Sequence, residues 1–164
     1  MSIVRFIADL HLGHTNMALH RGFSSVEEHD EHIIAKWNSV VTKRDLTYIL
    51  GDVTMEKSAP YPLLDRMNGR KKVVLGNHDL PKHVPDLLQH VEQVGALMRY
   101  KGIWMSHCPI HPMELDYRVQ RIIHGHIHEK VVLLNGSPDP RYICVSCEQV
   151  DYTPKTLQEL GINR

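Results

Sequence analysis

The sequence has no net charge, because nineteen Lys and Arg side chains are matched by nineteen Asp and Glu. That balance removes any global pull toward nucleic acid or an anionic membrane surface. Cysteine is scarce, with three residues in all. An odd number of thiols with no secretory leader argues against a disulfide framework and for reduced cysteines in the cytoplasm. Long apolar runs are also missing. The apolar start, residues 1–8, is too short for a signal peptide or a membrane span. Internal repeats, low-complexity tracts and linkers are absent too, so 164 residues are expected to form one domain, 1–164, with a core of its own.

Histidine is abundant, at thirteen residues. Imidazole titrates near neutrality and is the commonest metal ligand, so this excess points to chemistry. Cys144 and Cys147 have the spacing of a zinc pair. However, residues 142–147 alternate like a strand, where an offset of three puts the sulfurs on opposite faces, and buried free thiols are the better reading.

Hydrophobic periodicity gives an element order of β-α-β-α-β-α followed by several strands. Residues 2–8 form a short buried strand. A helix carrying Val26, Ile33, Ile34, Trp37, Val40 and Val41 on one face follows, with Ser25 and Glu28 as its capping box. Residues 46–50 and 72–75 are the next buried strands. Between them a short helix, opened by Pro60 or Pro62, carries Leu63, Leu64 and Met67. Residues 80–91 read as a helix with Val84, Leu87, Leu88 and Val91 inward. Segments 93–100 and 103–106 flank Lys101-Gly102 as a hairpin, and 131–134 and 142–147 are strands around a turn at Asn135-Gly136. The end of the chain, from Pro154, is a short helix or a tail. The basic cluster Arg66, Arg70, Lys71 and Lys72 reads as a solvated face.

Polar residues collect where these strands end. The first strand leads to Asp9-x-His11, the second to Gly51-Asp52, the third to Gly76-Asn77-His78-Asp79, and residues 103–106 to His107. Residues 122–128 carry Gly125-His126-x-His128, read as a strand in which the two histidines face one place. Gly125 lets another backbone or a metal come close. By itself each block reads equally well as a polar turn, but together they supply oxygen and imidazole ligands without thiolate, a set suited to manganese, iron or zinc. Seven ligands exceed the need of one tetrahedral ion and suit two ions sharing a carboxylate.

The five blocks, in this order from Asp9 to His128, resemble the calcineurin-like metallophosphoesterase superfamily. Gly13-His14-x-Asn16 and Trp37-Asn38-Ser39-Val40 are similar to its compact prokaryotic and phage-type members. The resemblance implies an α/β fold in which two mixed β-sheets pack as a sandwich with helices on both outer faces. It implies that Asp9, His11 and His128 hold one ion, that Asn77, His107 and His126 hold a second, and that Asp52 bridges them. His78 would donate a proton or stabilise charge over the substrate, and Asp79 would orient its ring.

Charge counting agrees: two divalent ions against the carboxylates of Asp9 and Asp52 leave a site that welcomes an anion. The expected reaction is hydrolysis of a phosphodiester or phosphomonoester on a small or nucleotide-type substrate, by a hydroxide that two metals activate. Manganese is the first choice of ion, with iron, zinc or nickel as alternatives. A nuclease acting on nucleic-acid ends is the second reading, and a non-catalytic scaffold the third. Specificity would come from loops 13–24, 53–60 and 108–118, with His14, Asn16 and Arg21 as candidate substrate contacts and Arg118 and Arg121 as weaker ones. No membrane partner is expected.

Overall fold

In the computed structural model, which describes residues 2–55 and 59–163, the first three apolar runs become adjacent parallel strands. These are β1 (Val4–Ile7), β2 (Leu46–Leu50) and β3 (Arg70–Val74), with β4 (Gln93–Gly95) added parallel to β3. The free edge of β1 meets Lys155 in an antiparallel bridge to Phe6. The C-terminal segment thus protects an edge that would otherwise expose unpaired backbone groups. A second four-stranded sheet runs in the order β10 (Tyr142–Cys144), β7 (Ile122–His124), β6 (Ile103–Ser106) and β5 (Leu97–Tyr100). It is mixed, with β10, β7 and β6 parallel and β5 antiparallel to β6. Both sheets feed one core: Phe6 and Tyr48 stack across the β1–β2 pair, and Tyr100 of the second sheet leans on both rings. The chain is therefore α/β with few helices.

Helix α1 (Thr15–His20) is short and lies inside the segment 13–24 that the sequence reads as a loop. Helix α2 (Val26–Asn38) buries Ile33, Ile34 and Trp37, and the Trp37 indole donates to the Asn68 carbonyl at 2.9 Å. Ser25 caps α2 as expected, accepting from the Glu28 amide at 3.1 Å. The reciprocal half of the box differs, because the Glu28 carboxylate turns to the amide and hydroxyl of Ser24. The segment after β2 is a 3₁₀ helix, Tyr61–Arg66.

Four sequence readings are corrected. The helix expected over 80–91 breaks into a 3₁₀ turn, Pro81–His83, and a single turn α3 (Val84–Leu87), with Leu87 buried and Leu88 exposed. Pro85, which has no amide to donate, interrupts the helical ladder. Segment 93–100 is two strands, since Ala96 lies between β4 in the first sheet and β5 in the second. Residues 142–147 end as a strand at Cys144, and Cys147 opens the turn α4 (Cys147–Val150). The Asn135-Gly136 turn instead closes the small hairpin β8 (Leu133–Leu134) and β9 (Ser137–Pro138). The basic cluster is not one solvated face either. Lys71 is buried and donates to the carbonyls of Met67 and Gly69, while Arg66 and Arg70 pair with Glu31 and Glu92.

Asp79 fastens the strand ends that matter most for the site. Its carboxylate accepts from the amides of Asp52 and Gly76, at 2.8 Å each, and of Val53 at 3.0 Å. Asp79→Ala leaves three amides without an acceptor, at ~1–3 kcal/mol each. Burial holds the Asp79 pKa up, so removing the carboxylate returns part of that cost. The expected net loss is about 3 kcal/mol, seen as a lower urea midpoint for the ion-free protein. An unchanged midpoint would rule out this role.

Candidate metal centre

The loops that carry the candidate ligands are joined by one row of backbone hydrogen bonds that crosses from sheet to sheet. The Gly125 amide donates to the His107 carbonyl at 2.9 Å, and the Val145 amide to that of His124 at 2.8 Å. Ala8 donates to Val145 and accepts from Cys147, and Asp9, His11 and Leu12 donate to Gly51, Asp52 and Val53. The motif glycines permit this crowding. A Cβ at Gly125 would stand 2.5 Å from the Ala8 Cβ and 2.6 Å from Asp9 Oδ2. At Gly76 it would stand 2.1 Å from Asp52 Oδ1.

Backbone conformation marks the same residues. Asp9, His11, Asp52, His126 and His128 all have positive φ, between 49° and 72°. Such conformations cost roughly 1–2 kcal/mol for a residue with a Cβ and gather at functional sites when the surroundings enforce them. They also correct the reading of residues 122–128. Strand β7 ends at His124, a buried core histidine whose pKa burial lowers to about 4. His126 and His128 follow in a left-handed loop and face different partners. His128 groups with Asp9 and His11, while His126 groups with His107 and Cys108, the ligand atoms in each group lying within 4.8 Å of one another. Asp9, Asp52 and His107 form a third such group.

Asp52 Oδ2 occupies the middle of this cluster. It lies 3.3 Å from His107 Nε2, 3.8 Å from His11 Nε2 and 4.0 Å from His78 Nε2. His107 gives its Nδ1 hydrogen to the Leu50 carbonyl at 2.8 Å, which directs Nε2 toward Asp52 and toward Asn77 Oδ1 at 3.0 Å. Without a cation, three electron-pair donors would face one another. A proton on the ring is one remedy. Burial opposes it, but the hydrogen bond and charge of Asp52, with the charge of Asp9, outweigh burial and raise the His107 pKa. A metal ion is the other remedy.

His11 decides between them. It is 2% exposed, and neither ring nitrogen has a hydrogen-bond partner among the described residues. Burial lowers its pKa to about 3, so protonation cannot serve here. An unpartnered buried nitrogen costs about 1–3 kcal/mol, and a cation shared with Asp9 and His128 would satisfy it. Asp9 itself is fully buried, with its pKa raised by that burial. Its carboxylate accepts from the His126 amide at 3.0 Å and the Ser146 hydroxyl at 2.6 Å. The residues present therefore fit divalent ions. Asp52 Oδ1 accepts from the His78 amide at 3.0 Å, so the candidate proton donor is hung on a candidate ligand. The His78 side chain is part-exposed.

The sequence reading missed a buried support behind His128. Glu148 Oε1 accepts from His128 Nδ1 at 3.0 Å and from Arg21 at 2.8 Å. Despite burial, these partners lower the Glu148 pKa to about 2. Arg21, expected to meet substrate, is 1% exposed in its side chain. It donates to the carbonyls of Asp9 and Leu10 at 2.7 and 3.2 Å and to His29 Nε2 at 2.9 Å. His29 must then give its Nδ1 hydrogen to Asp30, which holds the Gly13 amide. His14 stands edge-on to the His11 ring at 5.8 Å, and Asn16 is exposed on α1. Arg118 and Arg121 are exposed away from these contacts, and 56–58 of loop 53–60 lie outside the described residues. A groove of about 490 Å³ is lined by Met17, His20, His126, His128 and Lys130.

No family model matches the chain. It is 32% identical to the uncharacterized protein MJ1445 of Methanocaldococcus jannaschii, over 96% of this chain and 88% of that protein. It is 30% identical to the gene 66 protein of Mycobacterium phage L5 over 81% of each, and 29% identical to that of phage D29 over 90% and 89%. Among solved structures, the Aquifex aeolicus protein AQ665 superposes with a TM-score of 0.71 at 24% identity, covering 98% of both chains. The nuclease MPE of Pseudomonas putida gives 0.55 at 21% identity, covering 82% of this chain and 65% of that one. At these identities the structures establish likeness of fold. Among the described residues, no helix is long and apolar enough to cross a membrane.

Glu148→Ala should strand the buried Arg21 charge and free the His128 ring. Removing one member of a buried ion pair costs about 3–5 kcal/mol, and losing a ligand's outer partner lowers metal affinity ~10–100-fold. Glu148→Gln keeps an acceptor for His128 and should retain most of the affinity while still losing stability. Denaturant melts with calorimetric manganese titration separate the two effects. Equal affinity in Glu148→Ala and the wild type would dismiss the support.

Proposed function

The chain belongs to the family of MJ1445 and the phage L5 gene 66 protein, and from its own site we propose that it is a dinuclear metal-dependent phosphoesterase of the calcineurin-like superfamily. The observation that carries this reading is His11, buried beside Asp9, Asp52 and His128 with neither nitrogen hydrogen-bonded among the described residues. The proposal includes a single domain, 1–164, built as a sandwich of two sheets with helices on both outer faces, and a cytoplasmic location in keeping with three free cysteines.

Asp9, His11 and His128 would hold one ion, Asn77, His107 and His126 the other, and Asp52 would bridge them. Manganese is the proposed ion. When bound, the ions supply a nucleophilic water at neutral pH and neutralise charge on the phosphoryl oxygens. The protein's own part is to hold the phosphoester in line and to manage a proton. His78, carried next to Asn77 and hydrogen-bonded through its amide to Asp52, is proposed to protonate the departing oxygen. Asp79 fixes the backbone on which His78 sits. The groove of about 490 Å³ lies beside His126 and His128 with Lys130 at its wall. That volume suits a small or nucleotide-type phosphoester.

Likeness of fold to a nuclease supports the second reading, a nuclease acting on nucleic-acid ends. DNA cleavage with steeply salt-dependent binding, at rates above those for small phosphoesters, would favour it. The scaffold reading is the weaker one, because the ligand residues are present and gathered.

Reconstituted protein should contain two ions per chain by elemental analysis, and one or none would contradict the dinuclear site. Asp52→Asn removes the shared charge and should lose metal and activity together. His78→Ala should keep its metal and lose on the order of 10²–10⁴ in rate. Its loss should shrink for an aryl phosphoester with a weakly basic leaving group, which needs little protonation, while Asp52→Asn stays inactive on every substrate. An emptied metal site in His78→Ala, or the same loss for every leaving group, would reassign the residue.

A further inference from the structure

Thiolate was absent from the ligand set read in the sequence, yet the fold brings a cysteine to it. We propose that Cys108 supplies a thiolate ligand to the ion held by His107 and His126, which gives that position a preference for zinc over manganese. The proposal rests on the reading of His107 and His126 as ligands.

The ligand atoms of His107, Cys108 and His126 all lie within 4.8 Å of one another. Around one tetrahedral zinc, with Zn–S near 2.3 Å and Zn–N near 2.0–2.1 Å, neighbouring ligand atoms stand roughly 3.3–3.7 Å apart. The remaining gap is the size of a side-chain rotation. Cys108 is exposed and has that freedom, while its backbone is fixed by the Ser106 hydroxyl, which donates to the Cys108 carbonyl. His107 and His126 are already set edge to face, with ring centroids 5.0 Å apart.

The other two cysteines are placed differently. Cys147 is fully buried, with burial pushing its pKa to about 12, and Cys144 Sγ lies 3.1 Å from the Ser146 hydroxyl. Ion binding breaks the S–H bond of Cys108, releases the proton to solvent and gives the sulfur electron pair to the ion. No electron transfer is needed. Soft sulfur favours zinc over manganese, which prefers oxygen.

The full-length protein, stripped with a chelator, is titrated with cadmium while the ultraviolet thiolate-to-cadmium charge-transfer band is followed. Calorimetry on the same samples counts all ions bound. The band should saturate at one thiolate per chain in the wild type and in Cys144→Ser, and vanish in Cys108→Ser while calorimetry still records ion uptake. In His126→Ala the band's midpoint should shift to at least tenfold higher cadmium, because the thiolate has lost its partner. Zinc-against-manganese competition should fall ~10–100-fold in Cys108→Ser. Ion uptake without a band in the wild type overturns the Cys108 assignment and leaves the dinuclear reading standing. A band that persists in Cys108→Ser, or an unshifted midpoint in His126→Ala, overturns the assignment as well. No ion uptake by any route overturns both readings.

Discussion

Ala8 is the residue on which the site depends mechanically. Its amide donates to Val145 and its carbonyl accepts from Cys147, while the next amide, Asp9, donates in the other direction to Gly51. At this point the two sheets become one row of hydrogen bonds. A side chain larger than methyl has no room there, since Gly125 passes so close that even its own Cβ would collide. The consequence is that candidate ligands far apart in the chain, such as Asp9 and His126, are held together by this backbone row and by the Asp9 carboxylate, which accepts from the His126 amide. Catalytic geometry built on such elements is more exact than geometry built on free loops.

That rigidity opposes the conformations it enforces. Five ligand candidates have left-handed backbone, and at roughly 1–2 kcal/mol each the sum rivals the net stability of an ordinary domain. Hydrogen bonds to charged groups provide the compensation. Asp79 binds three amides around β2 and β3, Arg21 binds the carbonyls of Asp9 and Leu10, and Asp30 binds the amide of Gly13. The buried series Glu148, Arg21, His29 and Asp30 is therefore as much a part of the candidate centre as the residues facing it. It fixes the tautomer of His29 outright and engages His128 Nδ1, which leaves Nε2 as the nitrogen that a metal ion would meet.

Local patterns in the chain carried much of this, but not its long-range parts. The three parallel strands are short apolar runs and were legible as such. So were both Asn-Gly-type and Lys-Gly turns, because positive φ at Lys101, Gly102, Asn135 and Gly136 is what those residue pairs favour. The break in 80–91 is legible from Pro85, which has no amide to continue a helix. The split of 93–100 between two sheets has no local signal, since both halves alternate like one strand. Strand periodicity brought His126 and His128 together for the wrong reason: they share a left-handed loop and serve different groups. Arg21 was misjudged and Glu148 missed because each acts through a partner distant in sequence.

These buried pairs also determine which charges the centre presents. Glu148 is ionised, with its pKa near 2, and Arg21 stands against it at 2.8 Å. The two offset one another inside the protein, with Arg21 opposing a proton on His11 and His128 and Glu148 favouring one on His128. Asp79 is withdrawn among backbone amides. That leaves Asp9 and Asp52 as the carboxylates facing His11 and His107. Two divalent ions bound there would outweigh them by two charges before any solvent ligand is counted. An added carboxylate ligand would reduce the excess and weaken attraction for a phosphoester. A thiolate at Cys108 would reduce it at one ion only, on the His107 side, so the two positions would differ in softness and in charge. An asymmetric pair of ions is then a consequence of one exposed sulfur placed beside an otherwise oxygen-and-nitrogen shell.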